Sequence, residues 1–207
     1  TSRTVENVAC PAKGVQMLGD RDPSSLAIAV GDDVASTHRV ARGIAVVAPA
    51  GVTLCDADIA IIVLDQAVTT AKPLPVRTRG VALGDRVRTV GFGGTGVAGV
   101  VGTKLVREHV RVLSVTAAEL AVAEATCQGG SGGPALDETT GEVIGVVSRG
   151  GPSCEGPGVH NIYTRVDGFT WLVDEAFAKV AGLDRDGARD GGAPPRAPPR
   201  GTKQKPP

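Results

Sequence analysis

Short apolar runs recur along the chain and are separated by Gly, Asp and Pro. Apolar runs of this length between turn-forming residues predict short β-strands of an antiparallel sandwich or barrel. We place these strands at 26–30, 44–48, 59–64, 86–92, 110–115, 119–123, 142–147 and 162–166. The pattern therefore predicts an all-β fold over most of the chain.

Near the C-terminus the apolar spacing changes from that of a strand to that of a helix. Asp167 precedes the periodic segment as a candidate N-cap, and Gly182 follows it as a stop signal. These positions predict one amphipathic helix that closes the domain. Its apolar positions are Phe169, Leu172, Val173, Ala176, Phe177 and Val180.

From Leu183 onward the chain is rich in Pro, Gly and charged residues and almost lacks apolar ones. Such a segment cannot bury enough surface to offset its ordering entropy. We therefore predict a domain over 1–182 and a disordered tail over 183–207. Pro195, Pro198 and Arg200 fit a polyproline ligand pattern, although a spacer is the commoner meaning of this composition.

Composition narrows the class of protein. A chain of 207 residues suits one domain plus a tail, and 29 glycines with 2% aromatic residues suit a turn-rich β protein with an aliphatic core. Twenty-two basic residues balance 22 acidic ones, so no excess charge favours a nucleic-acid partner. No apolar run approaches the roughly 20 residues of a membrane span, and we expect a monomer.

Four cysteines, at 10, 55, 127 and 154, lie far apart without a CxxC pair. This spacing argues against zinc and suits an oxidising compartment, and we expect no metal and no cofactor. The cysteines alone allow three disulfide pairings. The chain begins at Thr1 without a methionine or a visible signal peptide, which indicates a processed or truncated start of a secreted protein.

The segment GGSGG, residues 129–133, places Ser131 between two pairs of glycines. It satisfies the GxSxG pattern of α/β-hydrolases, in which a helix follows the serine. Gly132, Gly133 and Pro134 oppose a helix there, and alternating helices are missing elsewhere. The serine therefore belongs to a site in a fold other than that of the α/β-hydrolases, or the segment is a plain flexible loop.

Four segments decide between these alternatives: CQGGSGGPAL, DADIAIIVLD, VIGVVSRGGPSC and IYTRVDGFTWL. Together they resemble the trypsin-like (chymotrypsin-fold) serine endopeptidases, most closely bacterial secreted members. The resemblance covers roughly residues 9–180. It implies two six-stranded antiparallel barrels, the first incomplete here, with a C-terminal helix and an active site in the cleft between them. It also implies peptide-bond hydrolysis through an acyl-enzyme, with a polypeptide as substrate.

The resemblance assigns roles residue by residue. Ser131 corresponds to the nucleophile, and the amides of Gly129 and Ser131 correspond to the oxyanion hole. Asp58 corresponds to the carboxylate that orients the base histidine. The alternative for Asp58 is a turn residue at the start of a strand, with Asp56 as its twin.

The resemblance also predicts the substrate pocket. Ser148, Arg149 and Gly150 correspond to the strand that pairs with the substrate backbone. Arg149 stands where an aromatic residue is common, and simple solvation of its side chain is an equal alternative. Ala125 forms the pocket floor where trypsins carry an aspartate, so we expect small or apolar substrate side chains rather than Arg or Lys.

Two disulfides are implied with unequal support. Cys127 and Cys154 match the disulfide that joins the two walls of the pocket. Cys10 usually pairs with a cysteine on a strand that this chain lacks, so Cys10 with Cys55 is a substitute that geometry must allow. Gly130 replaces the aspartate that receives a new N-terminal ammonium after zymogen cleavage, so that mode of activation is not expected.

The family's base histidine has no counterpart. In the segment ENVAC, either Ala9 or a gap stands at its position. His38, His109 and His160 are weak substitutes and are more simply read as a strand-edge residue, a solvent-facing strand residue and a loop residue near the pocket. Removing the histidine of a comparable triad costs on the order of a millionfold in turnover.

Two functions therefore compete. One is a serine endopeptidase represented here by a truncated or altered copy that is inactive. The other is a non-catalytic homologue that uses its cleft to bind a peptide or protein.

Overall fold

A computed structural model describes residues 3–6, 16–50, 57–94, 102–150 and 154–190, with side chains described in 21–50, 57–94, 102–150 and 154–183. Eleven strands and one α-helix lie in these ranges. The strands are β1 Arg3–Glu6, β2 Gln16–Asp20, β3 Ala27–Val30, β4 His38–Val47, β5 Ile61–Leu64, β6 Arg86–Gly91, β7 Leu105–Val115, β8 Glu119–Ala123, β9 Pro134–Asp137, β10 Val143–Gly150 and β11 His160–Arg165. The helix is α1 Trp171–Asp190.

Six strands close into an antiparallel barrel in the order β10-β11-β8-β7-β6-β9. Closure pairs both edges of the sheet and leaves no long exposed edge. The interior is aliphatic apart from one tyrosine, as the composition predicts. It consists of Val87, Val110, Val112, Leu120, Val122, Ala135, Ile144, Val147 and Tyr163.

The N-terminal part of the described chain forms a three-stranded antiparallel sheet, β3-β4-β5, and a separate pair, β1-β2. Helix α1 follows the barrel and packs back onto this sheet, where Leu172 and Ala176 contact Val47 and Val63. The helix therefore ties the three-stranded sheet to the chain that leaves the barrel. The described residues contain one closed barrel and no second one.

Each of the eight predicted runs overlaps a strand, which confirms the all-β assignment. The prediction missed β1, β2 and β9, and it missed the first halves of β4 and β7. Strand β9 is only four residues long and starts at Pro134 directly after a glycine loop. Its ladder partners, β6 and β10, make it a strand, since its own sequence carries little strand signal.

The predicted helix bounds were wrong at both ends. Asp167 begins a short 3-10 turn, and its carboxylate pairs with Arg165 Nε at 3.0 Å instead of capping the helix. The helix also passes Gly182, because a glycine lowers helix stability by about 1 kcal/mol without ending the helix. Residues 183–190 are thus helical, and the rest of the predicted tail lies outside the described residues.

The docking of α1 onto the three-stranded sheet gives the first prediction. Leu172 is fully buried, so Leu172→Ala should lower the free energy of unfolding by about 2–5 kcal/mol through lost burial and the cavity left behind. Phe177 on the same helix is 71% exposed, and Phe177→Ala should change the free energy of unfolding by less than about 0.5 kcal/mol. Urea unfolding measures both, and equal effects would contradict the docking.

Candidate functional site

Ser131 lies in the loop between β8 and β9, with an exposed side chain. Gly129 has φ +88° and Gly132 has φ +85°, a left-handed backbone that side chains with a Cβ rarely adopt. The glycines on either side of the serine are therefore required by the course of the chain. The loop therefore has a defined backbone conformation and is not a plain flexible loop.

Three of the loop's amides are used to hold its shape. Gly130 N donates to Cys127 O at 2.9 Å, Gly133 N to Gly130 O at 3.0 Å, and Gly132 N to Val147 O at 3.0 Å. In the described part of the chain, the amides of Gly129 and Ser131 have no acceptor. Two backbone donors without an acceptor among the described residues therefore lie next to the exposed serine.

A second glycine segment, residues 91–94, supports the loop from behind. Gly94 N donates to Gln128 O at 3.0 Å. A Cβ placed on Gly93 would lie 2.7 Å from both Cys127 O and Gly130 N, closer than real side chains approach. The two backbones are thus in direct contact, and the serine loop rests on the chain that leaves β6.

Gly130 is buried, and its Cα faces the side chain of Thr126. A Cβ at this position would lie 1.8 Å from Thr126 Oγ1 and 3.1 Å from Cys127 O. Thr126 thus occupies the space that any side chain at position 130 would need. The presence of Gly130, where the resembled family has an aspartate, therefore fits the surrounding residues.

Asp58 precedes β5 and is half-buried. Ser148 Oγ donates a hydrogen bond of 2.8 Å to Asp58 Oδ2, and burial raises the pKa of the Asp58 carboxyl. On the preceding residue of β10, Val147 N donates to Gly133 O at 2.9 Å. Consecutive residues of one strand therefore contact the serine loop and Asp58, which brings two predicted site residues into one region.

Arg149 is not simply solvated, which corrects that alternative. Its guanidinium makes a two-pronged ion pair with Glu119 on β8, with Nη1–Oε1 at 2.5 Å and Nη2–Oε2 at 2.8 Å. The side chains of Arg149 and Glu119 are 23% and 12% exposed. Strand pairing explains the contact, because β11 lies between β8 and β10 and both long side chains reach across it. The run ELAVA gave no sign of this partner.

The predicted disulfide between Cys127 and Cys154 is confirmed, with a Cα–Cα distance of 5.1 Å. It joins the serine loop to the segment that follows β10. A cavity of about 190 Å³ lies beside it, lined by Ala125, Thr126, Cys127 and Cys154 together with residues of β6 and β7. Ser148, Arg149 and Gly150 do not line this cavity.

The histidines contact neither Ser131 nor Asp58 within the described residues. His38 begins β4 and is exposed, and the ring of exposed His109 lies 3.1 Å from Glu138 Oε2, as expected for a solvent-facing strand residue. His160 begins β11 rather than lying in a loop, and its Nδ1 lies 3.1 Å from Gly158 O. Ala9, Cys10, Cys55 and Asp56 lie outside the described residues.

Two features are absent from the part of the chain that the structure describes. No cluster of three or more His, Cys, Asp and Glu side chains there could hold a metal ion. No helix there is long and apolar enough to cross a membrane.

The close contact of Gly130 with Thr126 gives a prediction. Gly130→Ala should lower the free energy of unfolding by about 1–3 kcal/mol, because the new methyl group overlaps Thr126 Oγ1. Thr126→Ala in the same chain should recover part of that loss. Gly182→Ala is the control, since nothing lies within 4 Å of a Cβ there, and it should stabilise helix α1 by about 0.5–1 kcal/mol. If the free energy of unfolding of Gly130→Ala, like that of the control, does not fall below the parent's, the contact is refuted.

The half-buried Asp58 gives a second prediction, on pH. Its raised pKa means that ionisation costs stability in the folded chain, a cost absent below the unfolded pKa of about 3.9 and complete above the folded pKa. Asp58→Asn should therefore be more stable than the parent at pH 7, with the difference vanishing as the pH falls towards 3. Glu175→Gln, an exposed change on α1, serves as the control in urea unfolding across this range. A difference in free energy of unfolding between Asp58→Asn and the parent that stays constant with pH would contradict the raised pKa of Asp58.

Comparisons with known proteins agree with this geometry. A sequence model of the family described as Trypsin matches residues 22–172. The solved structure of neuropsin, "a serine protease expressed in the limbic system of mouse brain", superposes with a TM-score of 0.60 at 20% identity and covers 72% of this chain and 78% of that chain. At this identity the likeness shows the fold, which is chymotrypsin-like.

One curated relative matches over a short segment. It is the "CLIP domain-containing serine protease B4" of Anopheles gambiae, 42% identical over 55 residues, which are 25% of this chain and 15% of the relative. This chain thus spans a small part of that relative. Because the family model matches well over half of the chain, including Asp58 and Ser131, we conclude that the chain belongs to the trypsin family of serine proteases.

Proposed function

We propose that the region around Ser131 is a polypeptide-binding cleft of the serine endopeptidase type, and that this chain does not hydrolyse peptide bonds by itself. The observation that carries the proposal is the pair of unpaired amides, of Gly129 and Ser131, beside an exposed serine hydroxyl. A carbonyl oxygen that enters this position accepts two backbone hydrogen bonds. Donors of this kind typically contribute a few kcal/mol to lowering an acyl-transfer barrier.

The end of strand β10 supports the binding of an extended peptide. Strand β10 pairs with β11 through Gly150, whereas its ladder with β9 ends at Val146. The β9 ladder therefore stops short of Ser148–Gly150. A peptide backbone can add there as a further strand, with its side chains alternating between the two faces.

The step that this chain cannot complete is the transfer of the serine proton to a base. When Ser131 Oγ attacks a carbonyl carbon, its proton must pass to a base, and a serine hydroxyl without a base is a weak nucleophile. By the resemblance, Ala9 or a gap stands at the place of that base. Asp58, which would orient the base, accepts a hydrogen bond from Ser148 at one of its two carboxylate oxygens. We therefore assign Ser131 as a nucleophile without a base, and this chain as an inactive copy of an endopeptidase.

The substrate side chain that the pocket prefers follows from Ala125. The side chain of Ala125 carries no negative charge that could pair with a substrate Arg or Lys, so small or apolar substrate side chains are favoured.

We assign this function to the domain of residues 1–182. We further propose that it acts as a monomer of bacterial, secreted type, in an oxidising compartment that suits the Cys127–Cys154 disulfide.

A second candidate function is a purely peptide-binding module. One contact favours it, because Arg149 is paired with Glu119, so these two charges are neutralised without a histidine. Both candidates use the same cleft. They differ in whether the remaining site still supports acylation of Ser131 once a base is supplied.

Labelling with a fluorophosphonate, followed by mass spectrometry, tests the proposal. The unmodified chain should not gain the mass of the adduct, whereas Ala9→His should gain it at one site. Ser131→Ala in both backgrounds is the control and should abolish any labelling. Stoichiometric labelling of the unmodified chain would overturn its inactivity, and an unlabelled Ala9→His chain would favour the binding module.

A further inference from the structure

The side chain of Thr126 packs against the serine loop at Gly130. A Cβ built on Gly130 would lie 1.8 Å from Thr126 Oγ1 and 3.1 Å from Thr126 Cβ, so the threonine lies directly against the Gly130 Cα. Gly91 at the end of β6 also adjoins this position, since its own Cβ would lie 3.5 Å from the Gly130 Cα. Gly130 is therefore enclosed by one side chain and by the end of a barrel strand.

Thr126 is itself fixed to the barrel. Its backbone N–H donates to Asn161 Oδ1 at 3.1 Å, and its carbonyl oxygen accepts a hydrogen bond of 3.2 Å from Asn161 Nδ2. Asn161 belongs to β11 and is buried, which makes both hydrogen bonds costly to leave unmade. The side chain that touches Gly130 therefore projects from a backbone that is anchored to β11.

Gly130 connects the two backbone donors of the serine loop. Its Cα joins the peptide unit that follows Gly129 to the peptide unit whose N–H belongs to Ser131. Gly129 and Gly132 have positive φ and require glycine for that reason, whereas the φ of Gly130 is not positive. The lack of a Cβ at Gly130 is required instead by the space that Thr126 occupies.

The contact with Thr126 limits the backbone conformations of Gly130. Glycine has more conformational freedom than any other residue, and a rotation at Gly130 changes the direction of the Ser131 N–H. Two hydrogen bonds oppose such a rotation, from Gly130 N to Cys127 O at 2.9 Å and from Gly133 N to Gly130 O at 3.0 Å. The Thr126 side chain opposes it as well, because it leaves no room for the Gly130 Cα to move towards it.

Empty space beside the loop makes this contact necessary. A cavity of about 190 Å³ is lined by Thr126 together with Gly91, Gly93 and Leu105, among others. Without the Thr126 side chain, Gly130 would border this cavity and would be free to move into it. The Thr126 hydroxyl makes no hydrogen bond with the residues that the structure describes, so the side chain acts by occupying space.

We propose that Thr126 is a positioning residue that keeps the N–H groups of Gly129 and Ser131 directed at one oxygen position beside the serine. The proposal rests on the proposed function, because it assigns these amides to an acyl-transfer site. It adds a second requirement for reactivity besides the base, namely a side chain at position 126 that reaches Gly130.

Fluorophosphonate labelling with imidazole supplied as the base measures this role. In that reaction Ser131 Oγ bonds to phosphorus, fluoride leaves, and imidazole takes up the hydroxyl proton. Thr126→Ala should lower the labelling rate at least about 10-fold, since the loss of one oxyanion donor costs on the order of 10²–10³-fold. Thr126→Ser retains the oxygen that touches Gly130 and should keep most of the rate. Leu105→Ala, which enlarges the same cavity from β7, is the matched control and should label like the parent.

Amide hydrogen exchange distinguishes this local role from a general loss of stability. In Thr126→Ala, the hydrogen-bonded amides of Gly130 and Gly133 should exchange at least about 10-fold faster than in the parent. The barrel amide of Val112, which donates to Asp85 O, should keep the parent's rate. If exchange at Val112 accelerates by the same factor, Thr126 has a structural role only and the proposal is overturned.

The outcomes separate this proposal from the proposed function. A Thr126→Ala chain that labels as fast as the parent overturns the role of Thr126, while the site at Ser131 stands. A Thr126→Ser chain that labels as slowly as Thr126→Ala also overturns it, because the oxygen beside Gly130 then does not position the loop. If imidazole never promotes labelling of the unmodified chain, the proposed function fails, and hydrogen exchange alone decides whether Thr126 holds the loop.

Discussion

The contact between Val147 and the Gly132–Gly133 segment determines the rest of the site. Val147 donates to Gly133 O and accepts from Gly132 N, so the serine loop is attached to β10 by two backbone hydrogen bonds. Strand β10 is part of a closed barrel, and Val147 itself is buried in the barrel core. The position of Ser131 is therefore fixed by the closed barrel. The next residue, Ser148, extends the same strand's influence to Asp58 through its hydroxyl.

Packing around Gly130 explains how this loop keeps its shape without a charged anchor. The Thr126 side chain fills the space beside Gly130, and the backbone at Gly93 lies in close contact with Cys127 O and Gly130 N. Close contacts of this kind resist deformation because interiors are packed to the density of organic crystals. Van der Waals contact and backbone hydrogen bonds thus do what an ion pair at position 130 would otherwise do.

The charged groups near the serine loop have partners among the described residues. Glu119 and Arg149 neutralise each other beside the cleft, and Asp58 is left with a hydroxyl partner while burial raises its pKa. A histidine between Asp58 and Ser131 would relieve the carboxylate and activate the serine at once. Its absence would leave one group strained by burial and the other unreactive, which links the stability of this chain to its chemistry.

The sequence predicted what is encoded locally and missed what depends on distant contacts. Periodicity located eight strands and the C-terminal helix, and the glycines around Ser131 indicated a sharply turned loop. The Cys127–Cys154 disulfide followed from family resemblance. Strand β9 and the Arg149–Glu119 pair could not be predicted, since each depends on strand neighbours that only the barrel brings together. Asp167 and Gly182 carried local helix signals that did not set the helix bounds, because the Asp167 carboxylate pairs with Arg165 and α1 continues past Gly182.

Chemical rescue tests most directly the claim that the site is assembled and lacks only a base. The rate of fluorophosphonate labelling of the unmodified chain would be measured against imidazole concentration at neutral pH, with Ser131→Ala as the blank. Imidazole can take up the hydroxyl proton and so replace the base that we propose this chain to lack. We predict a labelling rate that is negligible without imidazole, rises with its concentration and is absent in Ser131→Ala. A rate that stays at the blank level at every imidazole concentration would contradict the account.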